Sequence, residues 1–75
     1  MTAKEMFKKL GYEYSKNKNG RWICYDIYNP IQRRAIWFNV KGKTIVVGAY
    51  QAVTLSELKA INKQVEELEW NDWIK

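Results

Sequence analysis

Apolar positions recur at helical spacing at both ends of the chain and at strand spacing between them. Ala3, Met6, Phe7 and Leu10 step by three and four. Thr2-Ala3-Lys4-Glu5 just ahead reads as a capping box, in which hydroxyl and carboxylate each take an amide proton from the other residue. These signals predict a short helix over 3–10, stopped by Gly11 in a left-handed conformation. Tyr12, Tyr14 and Lys16 then alternate with Glu13 and Ser15 as a first strand, and Asn17-Lys18-Asn19-Gly20 is a turn. Strands follow over 21–28, 34–40 and 44–50, separated by Asn29-Pro30 and by Lys41-Gly42-Lys43. Thr54-Leu55-Ser56-Glu57 is a second capping box, opening a helix over 55–69 whose apolar stripe is Leu55, Leu58, Ile61, Val65 and Leu68. Turns this short make sequential strands antiparallel neighbours. The predicted fold is α+β: one domain with a four-stranded antiparallel meander sheet, a short N-terminal helix and a longer C-terminal helix, in the order α-β-β-β-β-α.

Alternation divides the middle strands into two faces. Ile23, Tyr25, Ile27, Ile36, Phe38 and Val40 form a uniformly apolar side, which the long helix is expected to cover. Trp22, Cys24, Asp26, Tyr28, Ala35, Trp37 and Asn39 form the other, mixed side. The fourth strand does not reveal which of its residues face in. Rigid aromatics on an open face suit a protein partner or a stacked base. The structural alternative is that the first helix, or the tail with Trp70, Trp73 and Ile74, folds over them.

Charge sharpens this picture. Thirteen Lys and Arg against eight Asp and Glu give +5, unevenly spread: residues 1–50 hold ten basic and three acidic residues, residues 51–75 three basic and five acidic. Either the basic part meets an anionic partner, or an acidic helix lies across a basic sheet. In a meander, Lys16, Lys18, Arg21, Lys41 and Lys43 fall at one end, a candidate nucleic-acid contact whose structural counterpart is simple protection of hairpin tips. Arg33 and Arg34 fall at the other end and rim the aromatics.

The two ends of the chain carry a resemblance. Met1-Thr2-Ala3-Lys4-Glu5-Met6-Phe7 through Leu10-Gly11-Tyr12, and Leu58-Lys59-Ala60-Ile61-Asn62-Lys63-Gln64-Val65-Glu66-Glu67-Leu68 followed by Trp70, resemble a group of small uncharacterised proteins encoded by phages and prophages of Gram-positive Firmicutes. Members often place Gly just before the terminal Trp, where this chain has Glu69. The resemblance covers about a third of the chain. It implies a bacterial cytoplasmic setting and an accessory phage role, and it brings no activity and no site residues.

The inventory argues against an enzyme. Histidine is absent, so the commonest acid–base group and metal ligand is missing. Cys24 is the sole cysteine, which excludes an internal disulfide and multi-cysteine metal sites. Asp26 on its face opposes thiolate formation, so an inert thiol is expected. Glu66, Glu67, Glu69 and Asp72 read as a solvated helix face, with nothing to supply the pocket that acid catalysis needs. The N-terminus lacks the apolar stretch of a signal peptide, and no run is long enough to span a bilayer. No cofactor and no metal is expected. The expected role is binding a host or phage protein through Trp22, Tyr28 and Trp37 with Arg33 and Arg34 at the rim. Nucleic-acid binding through Lys16, Lys18, Arg21, Lys41 and Lys43 is the alternative, and a homodimer through an edge strand or an aromatic patch is compatible with both.

Overall fold

Each boundary in the chain has a local cause. The computed structural model describes residues 1–28, 33–48 and 52–70, without the side chains of Tyr28 and Arg33. The elements run α1 (Ala3–Lys9), β1 (Glu13–Lys16), β2 (Trp22–Tyr28), β3 (Arg33–Asn39), β4 (Thr44–Val47) and α2 (Leu55–Glu67). All four strands pair antiparallel in the order β1-β2-β3-β4, the expected meander. Thr2 and Thr54 cap the two helices, and both reciprocal capping boxes form. The Asn29-Pro30 break, Tyr50 at the end of the fourth strand, and Asp72, Trp73 and Ile74 lie outside the described residues.

Both helices stop in the same way. The Tyr12 amide reaches back to the Phe7 carbonyl and the Gly11 amide to Lys8; Trp70 and Glu69 repeat this with Val65 and Glu66. This double bond pattern needs a left-handed residue at its centre. Gly11 supplies it at φ 93°, and Glu69 adopts φ 60° in the corresponding place. Glu69 therefore does not prolong α2, which ends before Trp70. The chain reversal after each helix drives an aromatic ring, Tyr12 or Trp70, into the core.

The core lies between one sheet face and both helices. Ile23, Tyr25, Ile36 and Phe38 come from the face expected to be covered. Phe7 of α1 stacks on Tyr25 with ring centroids 3.9 Å apart, and Trp70 tilts against Phe38. Ala60, Ile61 and Val65 of α2 complete the packing. The stripe expected on α2 is only half correct. Ile61, Val65 and Leu68 pack inward, but Leu55 and Leu58 are 68% and 45% exposed. Glu57 and Gln64 are buried instead, because both are hydrogen-bonded inside. Gln64 Oε1 accepts from the Tyr25 hydroxyl, and Glu57 accepts from Tyr12.

Arg34 corrects another expectation. It shares the inward parity of Ile36 and Phe38, is 6% exposed, and does not rim the aromatic face. Its Nε lies 2.9 Å from Glu57 Oε2 and its guanidinium also donates to Glu57 Oε1 at 3.2 Å. A further bond runs to the Ala52 carbonyl. One buried ion pair thus joins the acidic helix to the basic sheet. Burial would raise the Glu57 pKa, but bonds from Tyr12 and Thr54 and the Arg34 charge outweigh it and leave the carboxyl below its ordinary 4.5. Burial and the Glu57 carboxylate push Tyr12 up to about 12.

Three outcomes follow. Arg34→Met leaves the Glu57 charge buried without its counter-charge, and is expected to cost about 3–5 kcal/mol in urea unfolding. Because Glu57 is depressed when folded, its contribution is present above pH 4.5 and fades as pH falls through the lower folded value. Glu57→Gln, which keeps a capping side chain, should flatten that acid-side loss in thermal melts. Glu69→Gly should raise stability by about 0.5–1 kcal/mol, since glycine removes the left-handed penalty while adding some unfolded-state entropy.

Candidate functional site

With α1, α2 and Trp70 all on one side, no described element covers the other face of the sheet. Register sets what that face presents. Ser15, Cys24, Trp37 and Val46 lie directly opposite one another across the four strands. Glu13, Asp26 and Ala35 form a neighbouring row, and Trp22, Asn39 and Thr44 the row on the other side. Trp37 is 45% exposed and Val46 50% exposed. Trp22 is half-buried and meets Trp37 edge-on at 6.0 Å between centroids, which fixes the orientation of both rings. Alternation places Trp22 and Trp37 on one face, and on it the two rings are in contact. Tyr28 and Arg33 oppose each other in the β2–β3 register at the far end, and their side chains lie outside the described residues.

Cys24 sits half-buried in the central row. Burial, then the Asp26 charge, push its thiol above the ordinary value, against a weaker opposing bond with Ser15. This is the direction that disfavours a nucleophilic thiolate. Among the described residues, no group of three or more Cys, Asp and Glu is placed to hold a metal ion.

Charge is polarised along the sheet. The turn after β1 is held by side-chain oxygens: Asn17 accepts from the Asn19 amide and Asn19 from the Arg21 amide. Asn39 shapes the β3–β4 turn by accepting from the Gly42 amide, and a Cβ on Gly42 would come within 2.9 Å of that Asn39 side chain. The Val40 amide bonds the Arg21 carbonyl, bringing the two turns to the same end. Lys16, Lys18, Arg21, Lys41 and Lys43 are all exposed there, as the meander requires. Glu13 and Asp26 are exposed toward the other end of the outer face.

Sequence reasoning missed a second surface. A groove of about 420 Å³ runs between β4 and α2, lined by Lys43, Ile45, Leu58, Ile61, Asn62, Val65 and Trp70. It exists because the buried polar residues turn Leu58 roughly a quarter-turn from the centre of the packed face. The available signal was Glu57 and Gln64, seven residues apart and in phase with Ala60 and Ile61.

Compared with family models, curated proteins and solved structures, the chain matches none. No described helix is long and apolar enough to cross a membrane. One outcome is immediate: iodoacetamide alkylation of Cys24 should reach half its limiting rate above pH 9, and Asp26→Asn should lower that midpoint.

Proposed function

We propose that this protein is a small, non-enzymatic accessory protein of phage or prophage origin that binds a host or phage protein in the bacterial cytoplasm. The phage setting rests on the resemblance at the two chain ends. Binding rests on one observation: a largely exposed Trp37, braced edge-on by Trp22 and flanked by Val46, on a sheet face that neither helix covers. An aromatic anchor held in a fixed orientation loses little entropy when a partner covers it. The rows of Asp26, Glu13, Ser15, Asn39 and Thr44 around the apolar centre provide the polar rim that protein interfaces use. Trp22 and Trp37 are the proposed anchors, and Tyr28 and Arg33 stay in the proposal by their backbone register alone. Arg34 belongs to the interior and is not part of it.

Nucleic-acid binding is the second possibility, favoured by the five exposed basic residues gathered at the Trp22 end of the sheet. The acidic pair Glu13 and Asp26 on the same face works against a long phosphate track.

Capture from a Firmicute host lysate should recover a discrete protein with the native chain. Trp37→Ala should weaken that capture by about 30-fold or more while leaving the melting temperature nearly unchanged, as fits an exposed anchor. Loss of capture on Lys18→Ala plus Lys41→Ala, with Trp37→Ala neutral, would overturn the assignment of the face. Binding to a random single-stranded oligonucleotide that falls steeply between 50 and 200 mM salt would transfer the proposal to nucleic acid.

A further inference from the structure

Several exposed large apolar side chains gather at one place. Ile45 and Val46 stand on either side of β4, Trp37 adjoins Val46, and Leu58 borders the groove beside Ile45. The two edges of the sheet also differ in kind. β1 carries Glu13 and Lys16, and α1 lies beside it with Lys4 Nζ 4.5 Å above the Tyr14 ring. β4 reads Thr-Ile-Val-Val, with no charge, no proline and no described strand beyond it. Native proteins guard such edges, because a row of free amides and carbonyls templates another strand.

Backbone geometry states which groups are free. The Gly48 amide donates to the Ala35 carbonyl at 2.8 Å, making 35 and 48 a hydrogen-bonded pair. Bonds in an antiparallel ladder alternate, so Thr44 and Val46 also turn their polar groups toward β3. Ile45 and Val47 turn theirs outward. An added antiparallel strand must therefore bond to residues 45 and 47.

We infer that β4 pairs antiparallel with β4 of a second copy of this chain, centred on Val46, to give a continuous eight-stranded sheet. In this register Ile45 of one copy faces Val47 of the other, and the reverse, so all four outward amides and all four outward carbonyls of the two strands are satisfied by four bonds. Centring on Ile45 instead would place Val47 opposite Lys43, whose φ of 55° does not continue a strand. The two-fold axis then stands perpendicular to the sheet, and equivalent faces stay on the same side. The outer row becomes Trp37–Val46–Val46–Trp37, and the two grooves meet across the axis, where Ile45 and Leu58 gain apolar cover. Charge favours the antiparallel copy as well. The two Lys43 positions are separated by six strand steps, roughly 20 Å, well beyond a Debye length of about 8 Å. The guarded β1 edges close the assembly at two copies.

This pairing does not depend on the partner-binding role of the Trp37 face. Sedimentation equilibrium on the full chain from 5 to 500 μM should show a concentration-dependent mass approaching twice 9.0 kDa. Val46→Lys places two ammonium groups opposite each other at the axis and should weaken the dimer by about 100-fold, with the circular dichroism of the folded monomer retained. In a Cys24→Ser background, Val46→Cys should oxidise to a disulfide-linked dimer, because a non-hydrogen-bonded pair sets the Cα atoms about 4.5 Å apart. A chain that stays at 9.0 kDa throughout would overturn the proposal, including the case where a foreign strand takes the edge. So would a dimer that survives Val46→Lys and leaves Val46→Cys uncrosslinked.

Discussion

The Glu57 carboxylate is the point at which the molecule is tied together. One oxygen accepts from the Thr54 amide and so closes the cap of α2. The same group pairs with Arg34 of β3 and accepts from Tyr12, the residue that follows the turn out of α1. Three segments distant in sequence are thereby fixed to one charged group in a nearly dry place. Such a group tolerates little displacement, since an ion pair inside a protein is stable only while its bonds are complete. The rotation of α2 about its own axis is set here. Gln64, two turns further along, holds the same face inward through Tyr25.

That rotation has consequences at the surface. Facing Glu57 and Gln64 toward the sheet turns Leu55 and Leu58 away from it, which opens the groove beside β4. Both helices and Trp70 are spent on one side of the sheet, so the outer side keeps its tryptophans in contact with water. Part of the apolar surface left over, Trp37, Ile45, Val46 and Leu58, lies on or beside β4, at an edge with no described strand beyond it.

Much of the fold was legible in the sequence because its signals are local. Two capping boxes, an Asn-Gly turn and the alternation of Ile23 to Ile27 and Ile36 to Val40 define the elements with no tertiary knowledge. The sidedness of Trp22 and Trp37 followed from the same alternation. What stayed hidden was polar and non-local. Arg34 looks like a rim residue because arginine usually stays in water, and only the position of Glu57 shows why it goes inside. Glu57 in turn looks fully employed by its cap. Leu55 and Leu58 fit an apolar stripe by spacing, and the structure turns them out because two bonded polar residues claim the inward positions. Glu69 in a left-handed conformation was not readable either, because the tertiary burial of Trp70 overrides its local preference.

Both helices cover one side of the sheet and leave the other open. Residue-resolved hydroxyl-radical footprinting of the folded chain measures this directly. Trp37 and Val46 should be modified rapidly, while Phe38 and Trp70, on the covered side, stay protected until the chain unfolds. Protection of Trp37 equal to that of Trp70 in dilute monomer would contradict the one-sided arrangement.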